Sequence, residues 1–186
     1  MPLDIEDDLI ESAKRGGAAL ERLIIAVWPE AYRIAFVMLR DVGLAEDAAQ
    51  DACASIARSL PTLRNNGGFA AWSYRIITNH AMTKARQRSR IQTLDTVSDR
   101  AIHTDQCDAI DLCEALAALP LAQRAAVLLH YYAGLTSREI AAATGLPAST
   151  VRFHLMLARR ALHRALSIRE NPDAPQTSEE AITNVR

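Results

Sequence analysis

Cysteine, glycine, proline and aromatic side chains are all scarce in this 186-residue chain: 3 Cys, 7 Gly, 7 Pro and 5% Phe, Trp and Tyr combined. With so few turn formers and so little aromatic weight, and with alanine and leucine dominant, helices are favoured over strands. Cys53, Cys107 and Cys113 contain no CxxC pair, and an odd count suggests reduced thiols rather than a disulfide scaffold. His103 lies near two of them in sequence, but the spacing fits no common zinc module and offers no fourth ligand. No metal and no cofactor are expected. The apolar runs are too short to cross a bilayer and no signal peptide is visible, so a cytoplasmic location is expected. There is neither a phosphate loop nor a nucleophile–base constellation, and His80, His103, His130, His154 and His163 are scattered. An enzyme is therefore not expected.

What the chain does have is apolar surface, with 49% hydrophobic residues, enough for one ordinary domain or two small ones. The net charge is only −1. Its distribution says more than its sum. The first turns are acidic, with Asp4, Glu6, Asp7, Asp8 and Glu11. Residues 72–91 contain no acid but carry Arg75, Lys84, Arg86, Arg88 and Arg90. Residues 150–169 again contain no acid and carry Arg152, Arg159, Arg160, Arg164 and Arg169. Two basic stretches on a near-neutral chain read as two phosphate-binding surfaces or, more plainly, as two solvated helix faces.

Apolar residues recur at helical spacing almost throughout. Helices are expected at about 5–15, 18–28 and 44–60, with Pro29 opening a separate helix through Arg40. A turn-rich loop at 61–68 precedes a long helix from Phe69 to about Arg88. Phe69 and Trp72 are expected in the core. Residues 92–108 are polar and weakly periodic, as in an interdomain linker. Helical pattern returns at Leu112, breaks at Pro120, and resumes through Tyr132 to about Gly134. The fold class is thus all-α: two small helical domains joined by a flexible linker. The expected boundaries are 1–91, a linker at 92–110, a second domain at 111–169, and a polar, disordered tail at 170–186.

The strongest local pattern lies between Leu135 and Ala165. Thr136 and Glu139 form a capping box, and Gly145 suits a tight turn that needs positive φ. Pro147 suits the start of a second helix whose buried seam is Val151, Leu155, Ala158, Leu162 and Leu166. This is a helix-turn-helix. The early residues of its second helix face the major groove: Ala148, Ser149, Thr150, Arg152, Phe153 and His154. Ser149 and Thr150 can donate to phosphates, and Arg152 is the best candidate for guanine.

The strings Leu116-Ala-Ala-Leu-Pro120, Arg124, and GLTSREIAAATGLPASTVRFHLMLARRAL from Gly134 to Leu162 resemble the −35-binding domain of extracytoplasmic-function sigma factors. AEDAAQDA (Ala45 to Ala52) and FAAWSYRIITNHA (Phe69 to Ala81) resemble the other domain of that family. The resemblance implies a promoter-specificity subunit whose partners are core RNA polymerase and promoter DNA, with an anti-sigma factor as a further candidate. It implies that Glu46, Asp47, Gln50 and Asp51, which share one helical face, dock on the polymerase. It assigns Arg64, Asn65, Asn66, Arg75, Asn79, Lys84, Arg86 and Arg88 to −10 DNA, with residues 64–68 holding a flipped base and Asn79 near it. It assigns Arg124, Ser149, Thr150, Arg152, Phe153, His154, Arg159 and Arg160 to −35 DNA.

Five positions depart from the family pattern. Cys53 and Ala57 stand where bulky aromatics are usual, and Thr83 stands where Asp or Asn is frequent. His154 and Leu157 stand where arginines are usual. The alternatives to a working sigma factor are a decoy that binds an anti-sigma factor without promoter activity and a stand-alone helix-turn-helix regulator.

Overall fold

The computed structural model describes residues 3–92 and 110–170. Among them every regular element is helical: α1 (Asp7–Ala13), α2 (Ala18–Leu39), α3 (Val42–Ser59), α4 (Phe69–Gln92), α5 (Ile110–Ala118), α6 (Leu121–Val127), α7 (Ser137–Thr144) and α8 (Ala148–Glu170). Short 3-10 turns at Leu60–Thr62 and Asn66–Gly68 fill the expected loop, and α6 runs into a π turn at Leu128–Tyr132. The expected linker, residues 92–110, and the expected tail, residues 170–186, lie outside the described residues apart from positions 92, 110 and 170.

The first half is built on α2, α3 and α4. Ala45, Ala48, Ala49 and Ala52 of α3 are all fully buried, and their small side chains let α3 lie close to its neighbours. Asp41 caps α3 by accepting from the Leu44 N–H at 2.9 Å. From α4, Phe69, Tyr74, Ile77, Ala81 and Met82 complete the core, and Trp72 packs against it, in line with the sequence pattern.

Pro29 does not divide α2, contrary to expectation. The proline removes the N–H that would bond the Ile25 carbonyl, but both residues are exposed, so water can serve that oxygen. Val27, Ala31 and Ile34 meanwhile carry the buried stripe past the proline. A second correction concerns the thiols. Cys53 is free and buried, and burial pushes its pKa up to about 11. Cys113, however, is disulfide-bonded, with its partner outside the described residues.

The two halves share one apolar core, and a polar seam runs between them. Arg124 of α6 is buried against the end of α2. Its Nη1 donates to the carbonyls of Val37 at 3.1 Å and Met38 at 2.6 Å. Its Nη2 donates to the Leu119 carbonyl at 2.9 Å and to that of Ala117. Burial, with the charge of Arg40 adding to it, lowers the guanidinium pKa to about 10, which leaves it charged at neutral pH. Also across the halves, the rings of Tyr74 and Tyr132 meet edge to face, 5.5 Å between centroids. Arg33 donates to the Tyr132 hydroxyl at 3.4 Å and pairs with buried Glu30 at 3.2 Å.

Candidate nucleic-acid interface

The helix-turn-helix is closed by the local chemistry expected of it. Thr136 Oγ1 accepts from the Glu139 N–H at 3.3 Å, and Glu139 Oε2 accepts from the Thr136 N–H at 2.8 Å. The Thr136 hydroxyl also donates to Glu139 Oε2 at 2.7 Å, and this bond, with the one from the Thr136 N–H, holds the Glu139 carboxyl below the usual carboxylate range. Gly145 ends α7 in the left-handed region, φ 73°, where a side chain would be strained. Val151, Leu155 and Ala158 bury one side of α8, and Leu162 packs behind them.

That packing turns the opposite side of α8 outward. At about 100° per residue, Ser149, Arg152, Phe153, Met156 and Arg160 fall within one arc of about 100°. All five are exposed. His154 and Thr150 lie off this arc and are half-buried, and His154 Nδ1 is enclosed without a hydrogen-bond partner. Arg159 sits on the edge of the arc. It donates to the Tyr131 hydroxyl, and its guanidinium lies 5.4 Å from that ring's centroid. Arg124 does not join this surface. It is buried between the halves, so in this arrangement it faces no DNA. Met156 and Tyr131 are absent from the residues that the sequence pattern marks. Met156 follows from the helical period once the seam is fixed, whereas the Tyr131–Arg159 contact depends on tertiary packing.

A second surface lies along α3 and α4. Glu46, Asp47, Gln50 and Asp51 are all exposed on α3. Lys84 of α4 reaches across to Asp51 at 2.9 Å and Asp47 at 3.8 Å. The hydrogen bond from Lys84 holds the Asp51 carboxyl below its ordinary pKa, and the same bond raises that of Lys84. Arg88 pairs with Asp41 at 3.5 Å. Two of the cations assigned to the −10 phosphates therefore face carboxylates of α3 and its cap, while Arg75 and Arg86 are exposed. His80 Nε2 and Ser55 Oγ lie 2.9 Å apart in the same groove, and burial lowers the His80 pKa.

The loop before α4 is partly tied down. Asn65 Oδ1 accepts from the Gly67 N–H at 3.1 Å, an Asx turn. Asn66 Nδ2 donates to Glu11 Oε2 at 3.3 Å, while its Oδ1 is enclosed without a partner. Arg64 is exposed, and Asn79 is half-buried on α4, its carbonyl accepting from Thr83 Oγ1 at 2.9 Å. Among the described residues no cluster of three or more His, Cys, Asp or Glu could hold a metal ion, and no helix is long and apolar enough to cross a membrane.

Known proteins resemble both halves. The family model for sigma-70 region 2 matches residues 23–91, and that for sigma-70, region 4 matches residues 111–162. The RNA polymerase sigma factor SigV of Bacillus subtilis is 27% identical over 73% of this chain and 84% of its own length. The RNA polymerase sigma-H factor of Pseudomonas aeruginosa is 26% identical over 87% of this chain and 93% of its own. The ECF RNA polymerase sigma factor SigE of Mycolicibacterium smegmatis is 33% identical over 73% of this chain and 57% of its own. The fold matches that of RpoE from Bartonella quintana, solved with the anti-sigma factor NepR, with a TM-score of 0.64 at 24% identity over 80% of this chain and 97% of that one. The chain belongs to the sigma-70 family of RNA polymerase sigma factors, in its extracytoplasmic-function group.

Proposed function

We propose that this chain joins core RNA polymerase through the outer face of α3, grips the −10 element with α4 and the loop before it, and reads the −35 element with the outer arc of α8. The observation that carries the reading is that arc: a capped helix-turn-helix presents Ser149, Arg152, Phe153 and Arg160 together on a side of α8 free of acids until its last residue. Glu46, Asp47, Gln50 and Asp51 are the docking residues. Arg75, Asn79, Arg86 and the exposed Arg64 form the −10 surface, with Lys84 and Arg88 joining it once released from their carboxylates. The polymerase performs the reaction, and this chain supplies base contacts and works where the polymerase does, in the cytoplasm. The domains at 1–91 and 111–169 follow these two tasks.

Size imposes a further step. The two promoter elements, named for their distances from the transcription start, lie roughly 25 base pairs apart, about 85 Å along B-DNA at ~3.4 Å per pair. A compact chain of this length has a radius of gyration of about 16 Å. The two halves must therefore part at the Arg124 seam before both surfaces engage. An anti-sigma factor fits as a regulator of that step, as NepR accompanies its own sigma factor.

The test is a titration of core polymerase with the chain, followed by run-off transcription. Binding with promoter-dependent transcripts supports the reading. Binding without transcripts marks a decoy, and specific duplex binding without polymerase marks a stand-alone regulator.

A further inference from the structure

The outer arc of α8 is not only basic. Phe153 is 54% exposed and Met156 is 39% exposed, two large apolar side chains on a surface that also carries Arg152, Arg160 and Arg164. Exposing such residues has no folding benefit, because the seam of Val151, Leu155 and Ala158 is already complete. Neither side chain belongs to that buried seam. The charges around them favour a polyanion as the occupant over an apolar protein groove. In the major groove of DNA the apolar feature offered by the four bases is the C5-methyl group of thymine.

We propose that Phe153 and Met156 read thymine methyl groups in the −35 element, beside the guanine contact of Arg152. This rests on the promoter reading above and adds the base feature recognised by the apolar part of the arc. Met156 stands one turn beyond Arg152, a rise of about 6 Å at ~1.5 Å per residue. That is about two base-pair steps, so the thymines lie within two pairs of the guanine. His154 and Leu157, half-buried off the arc, take no part in this reading.

The experiment uses holoenzyme assembled from core polymerase and the full chain. A preferred −35 sequence is first selected from a randomised element. Each thymine on either strand is then replaced by deoxyuridine, which removes the methyl and nothing else. Burying one methyl-sized group is worth ~0.8 kcal/mol, about fourfold in affinity. Wild type should lose about fourfold at each of two thymines near the guanine. Phe153→Ala should be indifferent to deoxyuridine at one of them and Met156→Ala at the other, while Arg152→Ala should keep both penalties. Wild-type indifference to deoxyuridine at every position overturns the proposal, as does a selected element without thymine beside the guanine. So do variants that keep the full penalty; the exposed pair then belongs to a protein contact. A holoenzyme that selects no −35 sequence overturns the promoter reading itself, and this proposal with it.

Discussion

The guanidinium of Arg124 crosses from α6 to the end of α2 and donates to the Met38 carbonyl at 2.6 Å, joining the DNA-reading half to the other half through a buried charge. Removing a donor from enclosed carbonyls costs about 1–3 kcal/mol for each group left unsatisfied. Arg124→Met keeps the length of the stem but leaves the carbonyls of Val37, Met38, Ala117 and Leu119 without it. The variant should lose about 2 kcal/mol or more in urea unfolding and show a larger radius of gyration by X-ray scattering. Unchanged scattering would show that other contacts hold the halves together. Arg124→Lys should fall between, because one ammonium cannot reproduce the planar fork.

Polymerase docking is tested on α3. Asp47→Arg with Gln50→Arg reverses the charge of an exposed face and also sets a guanidinium against Lys84, whose Nζ lies 3.8 Å from the Asp47 carboxylate. Core binding should be abolished while far-ultraviolet circular dichroism stays unchanged. Wild-type affinity in a core titration would remove this face from the docking surface.

The Asp51–Lys84 pair gives a pH dependence of known sign. The Asp51 carboxyl is held below its ordinary pKa by Lys84. Its contribution to stability is therefore complete above about pH 4 and is lost as the pH falls through the lowered value. The pair is largely exposed, so the effect is about 0–1 kcal/mol and shrinks in salt. Urea midpoints between about pH 3 and 6 should fall less steeply for Asp51→Asn than for wild type at low salt, and the two should converge at high salt.

On the −10 surface, Asn79→Ala should reduce promoter opening more than initial duplex binding. Asn79 is half-buried beside the groove of α3 and α4, and its side chain is assigned to a base that must leave the stack. Permanganate footprinting separates the two stages. Equal thymine reactivity for wild type and variant would count against the assignment.

The helix-turn-helix is legible in the sequence because its determinants are local. Thr136, Glu139 and Gly145 fix both ends of α7 by contacts within a few residues, and the apolar period of α8 sets which side faces out. Arg124 is not legible. An arginine near a DNA-reading motif looks like a DNA contact, and only the approach of α2 shows that its partners are backbone carbonyls. The pairings of Lys84 and Arg88 are hidden for the same reason: their carboxylates lie more than thirty positions away in sequence and adjacent in space. Pro29 looks like a boundary because its cost is local, whereas the burial of Val27, Ala31 and Ile34 that outweighs it is not.

Promoter choice by core polymerase in the presence of this chain is measured most directly by mapping transcript starts. Purified core polymerase, with and without the chain, is supplied with fragmented genomic DNA. New starts should appear only in the presence of the chain, each preceded by a shared pair of −10 and −35 sequences, with Arg152→Ala relaxing one or two −35 positions. Starts identical to those of core polymerase alone would contradict the role proposed for this chain.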